Sequence, residues 1–165
     1  MTGLTHIDDD GRARMVDISG KPASHRTAVA RGLLRCAVST LEAVERGETP
    51  KGAVISTAEL AGIMAAKRTA DLIPMCHPLP LAKVGVRIAI DRACPGFRIE
   101  AEVKTTGQTG VEMEALTAVT VAGLTLYDML KAIDRTMTLD TVQVVRKTGG
   151  TGGDWTSDGG PRDAR

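Results

Sequence analysis

The chain has 165 residues, 42% of them hydrophobic and 25% charged, with a formal net charge of +1. This size and composition are typical of one soluble globular domain that buries its core without disulfides or structural metal ions. A single Phe, Tyr and Trp disfavour proteins that stack single-stranded nucleic acid on aromatic side chains. The near-neutral charge predicts no general attraction to nucleic acid or membrane lipid. Any anion site must therefore be built locally.

The cysteines Cys36, Cys76 and Cys94 are odd in number, widely spaced and free of any C-x-x-C motif. This spacing disfavours a structural zinc site or a disulfide framework and favours reduced thiols. The N-terminus has no basic segment followed by an apolar one, and no apolar run reaches membrane-spanning length. We therefore expect a cytoplasmic protein.

The first strand follows a polar start. Residues 1–25 are rich in turn-forming residues and include a short extended piece at 15–19. Small and apolar residues alternate with polar ones over 26–38, which indicates a half-buried strand.

Two helices are predicted next. Ser39 and Glu42 form a capping-box pattern, which would open a short helix that ends at Gly47. A second helix is expected over about 53–66, after the Pro-Lys-Gly turn.

The next pair of elements reads as an antiparallel hairpin. Apolar residues alternate over 83–91 and again over 97–104, and a short Cys-Pro-Gly turn separates the two runs. Two alternating runs across such a turn are typical of paired strands.

A long helix and a last strand complete the domain. Thr109 and Glu112 form a second capping-box pattern, which predicts a helix running to about Arg135. Residues 141–147 alternate as a strand, and a glycine-rich segment follows. We expect one domain over residues 1–155 and a disordered tail over 156–165.

The order β-α-α-β-β-α-β predicts an α+β fold, with helices on one face of a ferredoxin-like antiparallel sheet. The long helix is apolar almost all round, which is unusual for a helix that packs on one side only. We therefore expect a homo-oligomer.

The segment LIPMCHPLPL, residues 72–81, sets Cys76 and His77 among three prolines. Proline at this density excludes a helix or a central strand. Neighbouring side chains of an extended chain point to opposite sides, so a Cys76–His77 dyad is disfavoured. The pattern predicts a rigid wall that presents His77 for recognition or proton handling, with Cys76 as a small wall residue.

Four charged residues on the long helix are candidates for chemistry. Asp128 and Lys131 lie three positions apart on one face, either as a surface ion pair or as an acid–base pair with pKa values shifted by an apolar setting. Glu112 could serve as the capping-box carboxylate, whereas Glu114 lies beyond that position. Carboxylates also suit the N–H edge of a guanine or pterin ring.

Basic residues are scattered over predicted loops and strand ends. Each alone is typical of solvated surface, but together with the glycines after Lys147 they could bind a polyphosphate. The glycine segment is not a P-loop motif. These basic residues are Lys21, Arg26, Lys51, Lys67, Arg68 and Lys147.

Several long motifs resemble the MoaC family, the cyclic pyranopterin monophosphate synthases of molybdenum-cofactor biosynthesis. The similarity covers about residues 4–155. Its motifs are LTHID, MVDIS-K, AGIMAAKRTADLIPMCHPLPL, TGVEMEALTAVTVAGLTLYDMLKAIDR and KTGGTGGDW.

This resemblance implies conversion of 3′,8-cyclo-7,8-dihydroguanosine 5′-triphosphate to cyclic pyranopterin monophosphate, with release of pyrophosphate. It implies Asp128 and Lys131 as the catalytic pair. It also implies substrate-binding roles for Asp17, Lys21, Arg26, Lys51, Lys67, Met75, Cys76, His77, Glu112, Met113, Glu114 and Lys147. Members are hexamers, trimers of dimers, with the pocket at a subunit interface, so the expected partners are the nucleotide and further copies of the chain. No cofactor or protein-bound metal is expected, although Mg²⁺ could accompany the triphosphate.

Two details depart from the family pattern. Ser24-His25 precedes Arg26 where a threonine-rich segment is usual, and residues 151–153 read TGG where many relatives read KSG. Two other classes stay open from the residues alone. A nucleotide-binding module without catalysis would not need the Asp128–Lys131 pair, and an interaction scaffold would not need the basic cluster.

Overall fold

The computed structural model describes residues 10–157. The elements, in chain order, are β1 Ser24–Arg35, α1 Val38–Glu45, α2 Val54–Ala66, α3 Thr69–Leu72, β2 Leu81–Asp91, β3 Gly96–Gly107, α4 Glu112–Leu130, β4 Thr138–Thr148 and β5 Trp155–Thr156. The predicted order is confirmed, with a four-residue helix and a two-residue strand added.

The five strands form one antiparallel sheet in the order β2-β3-β1-β4-β5. The four long strands place β1 and β3 at the centre, which is the ferredoxin-like arrangement. The predicted α+β fold class is therefore confirmed. The hairpin predicted from the runs 83–91 and 97–104 is also confirmed, with Asp91 paired opposite Gly96.

The core lies between the sheet and the layer formed by α2 and α4. On the strands it is built from residues that alternate along the chain, such as Ala28, Leu34, Ile99 and Val103, all at most 1% exposed. The opposite face of the sheet carries charged pairs, including Arg31 Nε with Glu100 Oε2 at 2.7 Å. This division explains why alternation was a reliable strand signal.

Helix α4 is the central packing element. By length and composition alone its 19 residues would suffice to cross a membrane, contrary to the expectation from sequence. In the fold it packs against β1, β3, β4 and α2, as a core helix does. Its second apolar side is thus covered largely by α2 of the same chain. Its composition alone therefore does not require another subunit.

Both predicted capping boxes are wrong. The N-cap of α1 is Ala37 and that of α4 is Val111, and neither helix has a side-chain cap bond. At α1, the backbone N–H of Ala37 instead donates to Asp134 Oδ2 at 2.9 Å. A partner 97 residues away in sequence thus replaces the local cap.

Element ends also differ from the predictions. β1 ends at Arg35 rather than at residue 38, because the chain turns into α1. α4 ends at Leu130 rather than near Arg135. Thr156, assigned to the tail, pairs with Arg146 in β5, while residues 158–165 lie outside the described part of the chain. The short extended piece expected at 15–19 is not part of a regular strand.

Candidate active site

The proline segment helps to form a cavity of about 560 Å³ at the start of α4. Its walls are residues 16–21, the segment 73–79, and residues 109–114. We call it the His77 pocket. The predicted site residues that line it are Lys21, Met75, Cys76, His77, Glu112, Met113 and Glu114.

A turn shapes the wall of this pocket. The N–H of Cys76 donates to the carbonyl of Ile73 at 3.0 Å, which bends the chain around Pro74 and Met75. Cys76 and His77 both line the cavity. His77 Nε2 lies 2.9 Å from the Val16 carbonyl. Since a carbonyl only accepts, that nitrogen carries a proton, and in neutral His77 Nδ1 is left as an acceptor.

Glu114 is the buried acid of the His77 pocket, with only 4% of its surface exposed. Burial raises the pKa of its carboxyl, a hydrogen bond from its own backbone N–H offsets part of that rise, and the negative charge of Glu112 adds to it. Burial also raises the pKa of the Cys76 thiol, with a smaller contribution from Glu114. Glu114 can therefore hold a proton more readily than an exposed carboxyl, while Cys76 favours its neutral thiol form.

A second cavity of about 320 Å³ lies beside the first and shares Thr109, Gly110 and Glu112 with it. We call it the glycine-loop pocket. Two cationic side chains line it, Arg26 and Lys147. Lys147 Nζ lies 2.9 Å from Glu112 Oε1. This polar, cationic lining suits an anionic group such as a phosphate.

The glycines after Lys147 allow the loop to close over Arg26. Gly149 and Gly150 have φ of +85° and +82°, which L side chains rarely adopt. A Cβ on Gly150 would lie 2.1 Å from Arg26 Nη1. The Arg26 guanidinium is further held by the carbonyls of Gly107, at 2.9 Å, and Gln108, at 3.2 Å. The glycines therefore permit close packing on a fixed cation.

Asp128 joins two lysines at the other end of α4. Its Oδ1 lies 2.7 Å from Lys131 Nζ, and its Oδ2 lies 2.7 Å from Lys51 Nζ. We call these three residues the Asp128 cluster. Hydrogen bonds from Lys131 and Lys51 lower the pKa of Asp128 to about 2, and Asp128 in turn raises the pKa of Lys131.

The expected apolar setting of the Asp128–Lys131 pair is wrong. The side chains of Asp128 and Lys131 are 55% and 54% exposed, because they lie on the solvent-facing side of this end of α4, whereas Met129 and Leu130 between them are buried. The ion pairs, and not burial, shift these pKa values. In this state Lys131 is an ammonium group at neutral pH.

The remaining predicted residues lie in three places. Asp17 is exposed and accepts the N–H of Ser19 at 2.8 Å, and that hydrogen bond is the main cause of its lowered pKa. Lys67 lines a third cavity of about 400 Å³, which shares Leu79 with the His77 pocket. Arg68 is exposed just after α2.

One chain thus holds two separated groups of predicted site residues. The two pockets adjoin the first turn of α4, whereas the Asp128 cluster lies at its last turn. Asp128 lies 16 positions after Glu112, a rise of about 24 Å along a helix. Within one chain, the predicted catalytic pair and the predicted substrate-binding wall do not meet.

Two residues of the site were not found by sequence reasoning. The Gln108 side chain donates to the carbonyls of Lys21, at 2.9 Å, and Ser19, at 3.4 Å, and so ties the N-terminal wall to the His77 pocket. Asp154 Oδ1 accepts the N–H of Gly149 at 2.9 Å and holds the glycine loop. Both contacts form only when the chain folds. The sequence shows only that each residue is polar.

The fold is that of a ferredoxin-like α+β protein, with two joined pockets of which one is lined by two cationic side chains. The sequence profile of the MoaC family matches residues 15–150. Since this match covers most of the chain, the protein belongs to the MoaC family, as its motifs indicated.

Curated relatives match along nearly their whole length. A protein of Nostoc sp. is 57% identical over 152 residues, 92% of this chain and 90% of its own. One of Dinoroseobacter shibae is 57% identical over 153 residues, 93% and 97% of the two chains. One of Thermomicrobium roseum is 56% identical over 155 residues, 94% and 93%. All three are named cyclic pyranopterin monophosphate synthase.

Proposed function

We propose that this protein is a cyclic pyranopterin monophosphate synthase. It converts 3′,8-cyclo-7,8-dihydroguanosine 5′-triphosphate to cyclic pyranopterin monophosphate and releases pyrophosphate, in molybdenum-cofactor biosynthesis. The structural observation that carries the proposal is the junction of a cationic pocket with a second pocket that holds His77 and a buried acid. The names and coverage of the relatives support the same reaction.

The glycine-loop pocket is suited to the phosphates. Arg26 and Lys147 line it, and cations placed where negative charge develops stabilise a departing pyrophosphate. The His77 pocket is then left for the ring system and sugar. There Glu114 can exchange a proton, and His77 Nδ1 can accept a hydrogen bond from a ring N–H.

The Asp128 cluster would supply the proton transfer. Because Asp128 raises the pKa of Lys131, Lys131 would enter the reaction as an ammonium group and act first as a proton donor. Lys51, bound to the same carboxylate, would add positive charge near the triphosphate. Removal of a positioned acid–base group typically costs about 10²–10⁴-fold in rate.

The separation of the two groups along α4 supports a site shared between chains. A reacting atom must lie within a few ångströms of both the acid and the binding wall, but one chain holds them about 24 Å apart. We therefore propose that the Asp128 cluster of one copy completes the pockets of another. Family resemblance suggests a hexamer as the full assembly.

Cofactor use and location are also proposals. Within residues 10–157, no group of three metal-binding side chains converges, so we propose that any Mg²⁺ enters bound to the triphosphate oxygens. We propose that no other cofactor is needed. The free thiols of Cys36, Cys76 and Cys94 support a reducing, cytoplasmic location.

Turnover of two lysine variants tests the proposed role of Lys131. Lys131→Ala should lower the rate of product formation about 10²–10⁴-fold without changing the fold or the oligomer. Lys104→Ala is a matched control, since Lys104 lies on β3 and pairs with Glu102 at 3.4 Å, outside both pockets. Normal turnover by Lys131→Ala would remove it as the proton carrier. Binding of substrate by wild type without turnover would favour a nucleotide-binding protein instead.

A further inference from the structure

Glu112 occupies a position that no other charged residue of the described chain shares. It lines both the glycine-loop pocket and the His77 pocket. It is also the only carboxylate among the residues that line the glycine-loop pocket, where the other charged side chains are Arg26 and Lys147. A negative group in a pocket suited to anions requires an explanation.

The carboxylate of Glu112 binds a cation of that pocket. Its Oε1 accepts a hydrogen bond from Lys147 Nζ at 2.9 Å, with side-chain exposures of 31% for Glu112 and 35% for Lys147. It does not cap α4, which has no side-chain cap bond. The contact therefore uses the lysine that a phosphate group would need.

Gly110 makes room for this arrangement. A Cβ on Gly110 would lie 1.9 Å from Glu112 Oε2. The backbone of Gly110 does not have a positive φ. Glycine at this position therefore provides room for the Glu112 carboxylate and is not required by the backbone conformation. The Glu112 carboxylate lies in the space that any larger residue at position 110 would fill.

We propose that Glu112 is an exchangeable counter-ion of Lys147, which weakens polyphosphate binding and thereby speeds the release of pyrophosphate from the glycine-loop pocket. A bound anion must displace Glu112 from Lys147, and the Glu112–Lys147 ion pair forms again as the anion leaves. Uniformly tight binding of a product slows its release, so a competing carboxylate favours turnover. The identity of pyrophosphate as the product rests on the proposed function.

A titration with inorganic pyrophosphate tests this role without turnover. In calorimetry on the full chain, Glu112→Gln should bind pyrophosphate about three- to tenfold more tightly than wild type, because the amide cannot neutralise Lys147. Glu100→Gln removes one negative charge from the opposite face of the sheet, where Glu100 pairs with Arg31. That control should leave the affinity within about twofold of wild type.

Two further variants test whether the change in pyrophosphate affinity depends on the contact between Glu112 and Lys147. Gly110→Ala should displace the Glu112 carboxylate and tighten pyrophosphate binding in the same direction. In a Lys147→Gln background, Glu112→Gln should change the affinity by less than about twofold, since only screened repulsion remains.

The proposal is overturned if Glu112→Gln binds pyrophosphate no more tightly than wild type. It is equally overturned if the gain persists in full without Lys147, because the effect would then not pass through that lysine. A failure of the proposed function would give a different result. No cyclic pyranopterin monophosphate would form in the product assay, while the affinities measured for pyrophosphate would still follow the predictions above.

Discussion

Asp128 Oδ2 accepts a hydrogen bond from Lys51 Nζ at 2.7 Å, although the two residues lie 77 positions apart in sequence. The same lysine also donates to the backbone carbonyl of Asp128 at 3.1 Å. The turn before α2 is thereby fastened to the last turn of α4. The Asp128–Lys131 pair seen in sequence is in fact a cluster of three charges.

The pKa of Asp128 provides the first prediction. Its carboxyl should titrate at a pKa of about 2, and Lys51→Ala should raise that value, because one of two hydrogen bonds is lost. The native pKa lies below the ordinary value of 3.8. The stabilisation from the ion pairs is therefore complete well above pH 3.8, and it is lost as Asp128 becomes protonated near pH 2. Carboxyl chemical shifts measured by NMR give both values.

A matched lysine variant controls for changes in net charge. Lys104→Ala removes the same charge from β3 and should leave the Asp128 titration unchanged. A midpoint near 3.8 in wild type would contradict the geometry of the cluster.

The Cys76 thiol should react slowly with iodoacetamide at neutral pH. Burial and the charge of Glu114 raise its pKa, and only the thiolate is nucleophilic. Glu114→Gln removes the second cause, so alkylation of Cys76 should become faster at a given pH. Mass spectrometry of peptides across a pH series measures the rate at each cysteine.

Cys36 is the internal control for that experiment. Burial, with a contribution from Asp134, raises its pKa to about 11. Its rate should not respond to Glu114→Gln. Equal acceleration at both cysteines would point to general loosening of the fold and not to the charge of Glu114.

Gly150→Ala should weaken pyrophosphate binding more than Gly153→Ala. Both glycines have positive φ, +82° and +68°, so alanine strains the backbone at either position by about 1–2 kcal/mol. Only at Gly150 would the new methyl group also overlap the Arg26 guanidinium, since Gly153 has nothing within 4 Å of an added Cβ. Calorimetry and thermal unfolding of the two variants separate the effects. Equal losses of affinity would mean that contact with Arg26 is unimportant.

Mixing two inactive variants tests the shared site. His77→Ala and Lys131→Ala should each be inactive, but subunit exchange between them should restore about a quarter of wild-type turnover. This value follows because half of randomly paired dimers are mixed, and each mixed dimer has one intact site of two. Turnover that stays at background after verified exchange would place both residues in the site of a single chain.

The sequence predicted the strands well because alternation reports directly on a sheet with one buried face. It predicted helix starts poorly because the competing contacts are tertiary. Asp134, from the segment after α4, accepts a hydrogen bond from the backbone N–H at the start of α1. The Glu112 carboxylate, which was expected to cap α4, instead accepts a hydrogen bond from Lys147 of β4. Local patterns contain no information about such partners.

The site was predicted as a set of residues but not as an arrangement. Motif resemblance grouped Asp128, Lys131 and His77 as site residues, whereas within one chain the fold places His77 near the first turn of α4 and the Asp128–Lys131 pair at its last turn. The apolar composition of α4 suggested a buried acid–base pair, yet Asp128 and Lys131 lie on the exposed side of its last turn, while Met129 and Leu130 of the same turn are buried. The i, i+3 spacing placed Asp128 and Lys131 on one face of the helix but did not show that this face is exposed.

The most direct test of the proposed function follows two products in one time course. Wild-type protein is incubated with 3′,8-cyclo-7,8-dihydroguanosine 5′-triphosphate, and pyrophosphate and cyclic pyranopterin monophosphate are quantified, the latter by mass. We predict that both appear together in a 1:1 ratio, at a rate proportional to protein concentration. Binding of the triphosphate with neither product formed, or pyrophosphate released without the pyranopterin, would contradict the proposed function.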